Sequence, residues 1–204
     1  MTLAIVDYGM ANLRSVQKAF EAVGTMATIT SDPHVIRGAD RLVLPGVGAF
    51  EDAIARLRET HLDDVIRGLI ASGRPFLGIC LGLQMLFTES HENGRHAGLN
   101  CFAGQVVRFP NRPGHPVPHM GWNTIRAQGD CPLFRGLSAD PAVYFVHGYF
   151  AVPADRSLVA ATADYPEPFC AAIHHENVVA TQFHPEKSQR VGLAMLKNFS
   201  TWKP

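Results

Sequence analysis

Two patterns of apolar residues alternate along the first eighty positions of the chain. Short continuous apolar runs are typical of buried strands. Segments with an apolar residue at every third or fourth position are typical of amphipathic helices, and the stripe over residues 62–70 is the strongest of them. Strands are expected at residues 3–6, 27–30, 41–44 and 76–79, and helices at residues 12–23, from residue 31 onward, and at 62–70. This alternation predicts a parallel sheet with helices on both faces.

The second half of the chain carries short apolar runs at closer spacing, with little room for helices between them. Strands are expected at residues 105–109, 122–125, 143–146, 158–161, 171–174 and 178–182, and a final helix at residues 189–199. The polar residues 91–98 and the proline-rich residues 110–118 are expected to form loops. We expect the new strands to extend the same sheet, partly in antiparallel fashion. The fold class is therefore α/β, with three layers and a mostly parallel central sheet, and residues 1–204 are expected to form one domain.

Composition narrows the possible functions. The 18 Lys and Arg residues balance 18 Asp and Glu residues, so no basic excess supports non-specific binding to nucleic acid. No apolar run approaches the roughly 18 residues that a membrane span needs, and the N-terminus lacks the pattern of a secretory signal. The four cysteines form no CxxC pair, which favours reduced thiols in a cytoplasmic protein. No cysteine–histidine ligand spacing appears, so we expect no metal site and no cofactor.

The segment from Gly78 to Gly82 carries the strongest chemical signal. A buried strand runs into Gly-Ile-Cys-Leu-Gly, which places Cys80 at the centre of a nucleophile elbow. Glycines on both sides leave room for a sharp turn that exposes the central side chain. We expect a helix to follow, whose N-terminal N–H groups and dipole favour the thiolate form of the cysteine. The alternative interpretation is a buried structural cysteine in a tight turn.

A thiolate nucleophile needs a base, and the base needs a group that orients it. His184 and Glu186 lie two residues apart around Pro185, at the end of the last expected strand. An extended chain at the proline would project both side chains to one face. His184 is therefore the candidate base for Cys80, and Glu186 is the candidate group that holds the imidazole. A His-Pro-Glu tripeptide is a weak signal alone, but it and the elbow support each other.

Donors for a developing oxyanion would complete this arrangement. The backbone N–H of Leu81 directly follows the cysteine, and the glycine-rich segment from Gly46 to Gly48 follows the third strand. Both positions lie at carboxyl ends of parallel strands, where ligands bind in doubly wound sheets. A tight turn without any ligand role is an equally good interpretation of residues 46–48 alone.

The elbow and the His-Pro-Glu segment resemble those of the class I glutamine amidotransferases, a family with a flavodoxin-like fold. Further segments are similar to a branch of that family, the glutaminase subunits of imidazole glycerol phosphate synthases, which act in histidine biosynthesis. The resemblance runs from residue 5 to residue 199 and so covers nearly the whole chain. The segments that carry it are residues 7–16, 44–50, 78–84, 118–123, 144–147 and 182–189.

This resemblance implies a function and a partner. Glutamine would be hydrolysed to glutamate and ammonia through a γ-glutamyl thioester on Cys80. The ammonia would pass to a (β/α)8-barrel cyclase subunit in a heterodimer, which makes imidazole glycerol phosphate and an aminoimidazole carboxamide ribotide. The resemblance assigns oxyanion stabilisation to Gly48 and Leu81, glutamine binding to Gly46, Gln84, Glu92 and Gly148, and the cyclase interface to Asn12, Trp122, Asn123, Tyr144 and Lys187.

Two positions depart from the family pattern, and other functions remain open. Ala11 stands where glycine is usual, and Gly148 where a small hydroxyl residue is usual. A side-chain hydrogen bond to glutamine would be lost at Gly148, whereas a backbone contact would survive. A glutaminase subunit of pyridoxal phosphate, anthranilate or aminodeoxychorismate synthesis would lack residues 118–123 and the Lys187-Ser188 pair. A different cysteine hydrolase of the superfamily would lack His-Pro-Glu. A non-enzymatic binding module would need neither Cys80 nor His184.

Overall fold

The computed structural model describes residues 2–204. As far as the fourth strand, one or two helices separate each strand from the next. The helices are α1 (Leu13–Ala22), α2 (Pro33–Gly38), α3 (Phe50–Glu59), α4 (Leu62–Ala71), α5 (Leu81–Gln84) and α6 (Gln189–Thr201). The strands are β1 (Leu3–Val6), β2 (Ala27–Thr30), β3 (Arg41–Gly46), β4 (Phe76–Cys80), β5 (Phe87–Ser90), β6 (His96–Ala97), β7 (Phe102–Arg108), β8 (His119–Thr124), β9 (Arg126–Ala127), β10 (Ala142–His147), β11 (Tyr149–Pro153), β12 (Val159–Asp164), β13 (Pro168–His175) and β14 (Val178–Thr181).

Eight strands form the central sheet, in the order β2-β1-β3-β4-β14-β13-β12-β9. The five strands from β2 to β14 are parallel, and the remaining three run antiparallel to their neighbours. The predicted α/β class, with a mostly parallel sheet and antiparallel strands from the second half, is confirmed. Gly46 pairs with Cys80 in the β3–β4 register, so the ends of these two strands lie side by side.

The prediction that all strands of the second half extend this sheet is wrong. Strands β5, β6, β7 and β11 form a separate four-stranded sheet, and β8 pairs with β10 in a two-stranded one. The burial of the strands gives the physical reason. Strand β4 is buried along its whole length, whereas exposed or half-buried residues alternate with buried ones along β10. A strand with one covered face suits a small antiparallel sheet packed against the body rather than the middle of a three-layer sheet.

Helices cover both faces of the central sheet. Helices α1 and α6 pack on one face through residues such as Phe20 and Phe199, and α3 and α4 pack on the other through residues such as Leu57 and Ile66. The sequence analysis does not predict α3, although Phe50, Ala53, Ile54 and Leu57 are all buried along one side of it. Among residues 2–204, none of the helices has the length and apolar character needed to cross a membrane.

Candidate active site

Cys80 ends β4 in a strained turn. Its φ of 54° and ψ of −107° lie in a region that residues other than glycine rarely adopt. The flanking glycines are required by close approach of the backbone, because a Cβ at Gly82 would lie 1.9 Å from the Leu44 carbonyl oxygen and one at Gly78 would lie 2.9 Å from the Gly82 oxygen. The steric argument for the Gly-x-Cys-x-Gly pattern is therefore confirmed.

The helix expected after Cys80 is present, but it is short. Helix α5 contains only the four residues Leu81–Gln84, and the chain enters strand β5 at Phe87. Residues 81–87 are all buried, so this stretch has no exposed face along which a longer amphipathic helix could continue. Backbone N–H groups still follow the sulfur directly, but a single turn supplies only a small dipole.

His184 and Glu186 form a buried pair next to Cys80. His184 Nδ1 lies 2.7 Å from Glu186 Oε1, and each side chain is 2% exposed. The chain is not extended through Pro185 as predicted, because residues Pro185–Lys187 form a 3-10 turn that brings Glu186 back to the imidazole. The carboxylate accepts from Nδ1–H, so Nε2 is the ring nitrogen left to exchange a proton with a substrate. This Nε2 is buried and has no hydrogen-bond partner at ordinary distance among the described residues.

The charge state of His184 depends on its two neighbours. Burial alone lowers the pKa of His184, but the charge of Cys80 and the hydrogen bond and charge of Glu186 outweigh burial and raise that pKa to about 10. The imidazolium form therefore dominates at neutral pH. A positive ring beside the sulfur favours an anionic sulfur, which is the nucleophilic form of a cysteine.

A cavity of about 330 Å³ opens in front of Cys80 and His184. Six other residues assigned from the sequence also line it, namely Gly48, Leu81, Gln84, Glu92, Gly148 and Lys187. Four further lining residues were missed, namely Val47, Val146, His147 and Tyr149. Glu92 and Lys187 carry opposite charges, so the cavity offers partners for both the ammonium and the carboxylate of an amino acid.

Two of the assigned residues lie behind the cavity wall. Glu186 contacts the far side of the His184 ring, and Gly46 lies beneath the turn. A Cβ at Gly46 would lie 2.6 Å from the Tyr8 hydroxyl and 2.8 Å from Leu81 Cβ, so a glycine is needed there for packing. The neighbouring loop is fixed as well, because Val47 N–H donates to the Met10 carbonyl at 3.2 Å.

Glu92 and Gly148 show how the ligand end of the cavity is built. The Glu92 carboxylate accepts from the Phe50 N–H at 2.9 Å, which fixes it at the start of α3. At Gly148, an added Cβ would meet only Val117 Cγ1, at an ordinary 3.4 Å. A hydroxyl residue would therefore fit at Gly148, and this chain lacks the hydroxyl without any steric reason.

His147 and His119 form a neutral pair next to the cavity. His147 Nδ1 contacts the Tyr149 carbonyl at 2.8 Å, and its Nε2 lies 3.2 Å from His119 Nδ1. Burial lowers the pKa of His147 to about 3 and that of His119 to about 4. Neither ring is charged at neutral pH, so His184 is the imidazolium next to the sulfur.

Of the residues assigned to a partner interface, three lie together beside the cavity. The Trp122 and Tyr144 rings meet edge to face at 6.1 Å, and Lys187 Nζ lies 5.8 Å from the Tyr144 ring centre. Trp122 is 51% exposed. Asn123 is half-buried and donates to the Asp164 carbonyl, and Asn12 is exposed at the start of α1.

Comparison with known proteins places these features in a family context. The model of the family described as "Glutamine amidotransferase class-I" matches residues 4–201. A protein of Syntrophotalea carbinolica named "Imidazole glycerol phosphate synthase subunit HisH" is 58% identical over 97% of this chain and 98% of its own length. Its namesake from Geobacter sulfurreducens is 52% identical over 98% of this chain and 99% of its own length.

Solved structures share the fold at low sequence identity. A structure described as "glutamine amidotransferase" has a TM-score of 0.76 at 18% identity and covers 98% of this chain and 100% of that one. PurLQS from Thermotoga maritima has a TM-score of 0.74 at 19% identity, with 98% of this chain and 95% of that one covered. At such identities the likeness concerns the fold alone.

Proposed function

Because the chain belongs to the class I glutamine amidotransferases, we propose that it is a glutaminase that hydrolyses L-glutamine to glutamate and ammonia. We further propose that it serves an imidazole glycerol phosphate synthase in histidine biosynthesis, as the names of its full-length relatives suggest. The observation that carries the glutaminase proposal is the juxtaposition of Cys80 and the buried His184–Glu186 pair at one cavity of amino-acid size.

The first half-reaction forms a thioester. The anionic Cys80 sulfur attacks the side-chain amide carbon of glutamine, and the amide oxygen becomes an oxyanion. Backbone N–H groups of Leu81 and Gly48 would donate to that oxygen. The imidazolium of His184 then gives its Nε2 proton to the departing nitrogen, the C–N bond breaks, and ammonia leaves a γ-glutamyl thioester on the sulfur.

The second half-reaction returns the enzyme to its starting state. His184, now neutral, takes a proton from water while the water oxygen attacks the thioester carbon. The C–S bond breaks, its electron pair returns to Cys80, and glutamate is released. Glu186 holds the ring in one orientation throughout and stabilises its positive charge. This sequence restores the imidazolium and the anionic sulfur.

The polar residues of the cavity are suited to holding glutamine. Glu92 would pair with the α-ammonium group of glutamine. Lys187 lines the same cavity and would pair with the α-carboxylate. Gln84 and the backbone of Gly148 would supply hydrogen bonds to glutamine. Gly46 would act indirectly, because the absence of a side chain there lets Leu81 and Tyr8 pack against it. A role for Lys187 in binding glutamine adds to the interface role that the sequence resemblance assigns to it.

The proposed partner is a (β/α)8-barrel cyclase that receives the ammonia. The surface next to the cavity includes the exposed apolar side chains of Met120 and Trp122, which are 63% and 51% exposed. We propose that this surface, with Asn12, Asn123, Tyr144 and Lys187, faces the cyclase in a heterodimer. Cys80, Cys101, Cys131 and Cys170 are all free thiols, which suits a complex in the cytoplasm.

Co-purification with a candidate cyclase tests this proposal. Glutamate release from glutamine is measured for the isolated chain, for the complex, and for the complex with the cyclase substrate. We expect release to require Cys80 and to be highest in the complex with that substrate. If the chain binds no cyclase but supplies ammonia to a different synthase, the proposed partner is wrong and the proposed glutaminase activity stands. Failure to hydrolyse glutamine under all conditions would overturn both.

A further inference from the structure

A buried side-chain amide contacts the sulfur of Cys80. Gln182 is 0% exposed, and its Nε2 lies 3.6 Å from Cys80 Sγ, which is hydrogen-bond distance for a sulfur acceptor. Gln182 precedes the His184–Glu186 pair in the sequence motif, but none of the roles described above uses it. An amide in this place is a neutral donor aimed at an atom that must carry negative charge.

The orientation of this amide is fixed by a chain of hydrogen bonds. The first bond in this series ends at the Tyr149 carbonyl oxygen, which can only accept a hydrogen bond. The atom of Gln84 that lies 2.9 Å from this oxygen is therefore the donor Nε2. The same Nε2 donates to Gln182 Oε1 at 3.0 Å. Since Oε1 of Gln182 is identified by that bond, the atom that faces the sulfur is Nε2. Flipping the Gln182 amide would break both of its bonds.

We propose that Gln182 is a catalytic residue that donates a hydrogen bond to the anionic sulfur of Cys80, and that Gln84 is the positioning residue that aims it. This inference rests on the proposed glutaminase function. A donor bonds more strongly to an ionised acceptor than to a neutral one, so Gln182 favours the thiolate over the thiol. It also favours release of the sulfur when the thioester is hydrolysed, because the C–S electron pair returns to the bonded atom.

Other groups near the sulfur respond to pH, whereas Gln182 carries no charge at any pH. Tyr8, in the loop after β1, is the neighbour of the Cys80 sulfur on that side. Burial and, to a smaller extent, the charge of Cys80 raise the pKa of Tyr8, so its phenol is neutral. The remaining titratable groups around the sulfur and cavity are His184, Glu186, His147, Glu92 and Lys187. All of them are retained when Gln182 is replaced, so a change in thiol reactivity then reports on the amide.

The test measures how fast iodoacetamide alkylates Cys80 as a function of pH in the full chain. Peptide mass spectrometry separates Cys80 from the other three cysteines. In Gln182→Met, which keeps the volume and removes the donor, we expect the midpoint of the pH profile to rise by about one unit, which is an acid dissociation constant of the Cys80 thiol about tenfold smaller. Gln84→Met should shift it in the same direction. The exposed Gln128→Met is the matched control and should leave it unchanged.

Non-additivity identifies the positioning role. The double variant Gln84→Met, Gln182→Met should shift the midpoint no more than Gln182→Met alone, because Gln84 acts through Gln182. Additive shifts would overturn the role of Gln84. A folded Gln182→Met with the wild-type midpoint would overturn the role of Gln182. If that variant does not fold, Gln182→Leu also removes the donor without adding a charge, and a midpoint that does not rise overturns the inference.

The same data distinguish this inference from the function on which it rests. A wild-type Cys80 that reacts no faster than the buried Cys131 and Cys170 would contradict the proposed glutaminase itself. A wild-type Cys80 that reacts selectively, with no effect of Gln182, would leave the glutaminase intact and remove only the role of Gln182.

Discussion

Cys80 occupies a backbone conformation that favours glycine, and the chain nevertheless keeps a side chain there. The turn cannot relax, because Gly82 already lies against the Leu44 carbonyl. Backbone strain of this kind typically costs about 1–3 kcal/mol and persists where the surrounding structure enforces it. The strain places the sulfur at the cavity, beside His184, where the proposed chemistry needs it.

Glycine should relieve this strain. We expect Cys80→Gly to have a free energy of unfolding about 1 kcal/mol higher than that of Cys80→Ala, measured by urea denaturation, after the larger chain entropy of unfolded glycine is counted. The matched control is Cys170, a buried cysteine within β13. There the order should reverse, with glycine about 0.5–1 kcal/mol less stable than alanine. If the glycine variant is less stable than the alanine variant at Cys80 as well, the Cys80 turn is not strained.

The raised pKa of His184 predicts an alkaline limit to thioester formation. The imidazolium must give its proton to the departing ammonia, and this form is lost as the pH rises through about 10. Rapid-quench measurement of the first turnover between pH 7 and 11 should therefore show a falling rate at the top of the range. Circular dichroism at each pH is the control for unfolding. A rate that continues to rise above pH 10 would rule out His184 as the acid.

At this scale the sequence predicts residue types better than it predicts contacts. The elbow around Cys80 and the His-Pro-Glu segment are local patterns, so they are visible in one sequence. The amide of Gln182 is different, because its partner Cys80 is 102 positions away and its orientation depends on Gln84. No local pattern encodes such a chain of bonds.

Among the elements, the contact between α6 and the 3-10 turn Pro185–Lys187 matters most for the site. A Cβ at Gly192 would lie 1.8 Å from the Pro185 carbonyl oxygen, so the helix touches the turn directly. Ser188 ties the same region to β10, since its hydroxyl donates to the His184 carbonyl and accepts from the Tyr144 N–H. The position of Glu186 therefore depends on how α6 packs.

An alanine at Gly192 should push the turn away from the helix. We expect Gly192→Ala to lose at least 1 kcal/mol of unfolding free energy and to reduce glutamine hydrolysis, because Glu186 moves away from His184. Gly68 in α4 is the matched control, since a Cβ there meets nothing within 4 Å. Gly68→Ala should stabilise the chain by about 0.5–1 kcal/mol and leave hydrolysis unchanged. Equal effects of the two variants would contradict the packing argument.

The elements that sequence reasoning missed share a physical cause. Helix α3 has its apolar stripe in the sequence, but the stripe covers only ten residues directly after a glycine-rich turn, and the sequence analysis assigns no element to it. Strand β5 follows the single turn of α5 within three residues, and residues 81–87 are buried without interruption, so periodicity does not separate the two elements. Which strands join which sheet depends on pairing between distant segments, and alternating burial alone indicated only that β10 has one covered face.

On the scale of the whole molecule, the cavity and the exposed Trp122 surface lie next to each other. Lys187 belongs to both, because it lines the cavity and lies over the Tyr144 ring. This arrangement suits a division of labour in which glutamine is cleaved in this chain and ammonia is used in a bound partner. It also predicts that the two activities can be separated.

The substitution Cys80→Ala should separate them. The alanine chain should still bind the cyclase, so the complex should lose synthesis from glutamine and keep synthesis from added ammonium salt. Product formation is measured with each nitrogen source. Cys101→Ala, which changes a cysteine outside the cavity, should keep both activities. Loss of both activities in a folded Cys80→Ala complex would contradict the division of labour.

The central claim is that Cys80, activated by His184, attacks the side chain of glutamine. The most direct measurement is labelling of the cyclase complex with the glutamine analogue diazo-oxo-norleucine, followed by mass spectrometry of the peptides. We predict one label per chain, on Cys80. Glutamine should slow the labelling reaction by competition, and the substitution His184→Ala should slow it at least about 10³-fold. A label on Cys101, Cys131 or Cys170 instead, or no label on the folded complex, would contradict the claim.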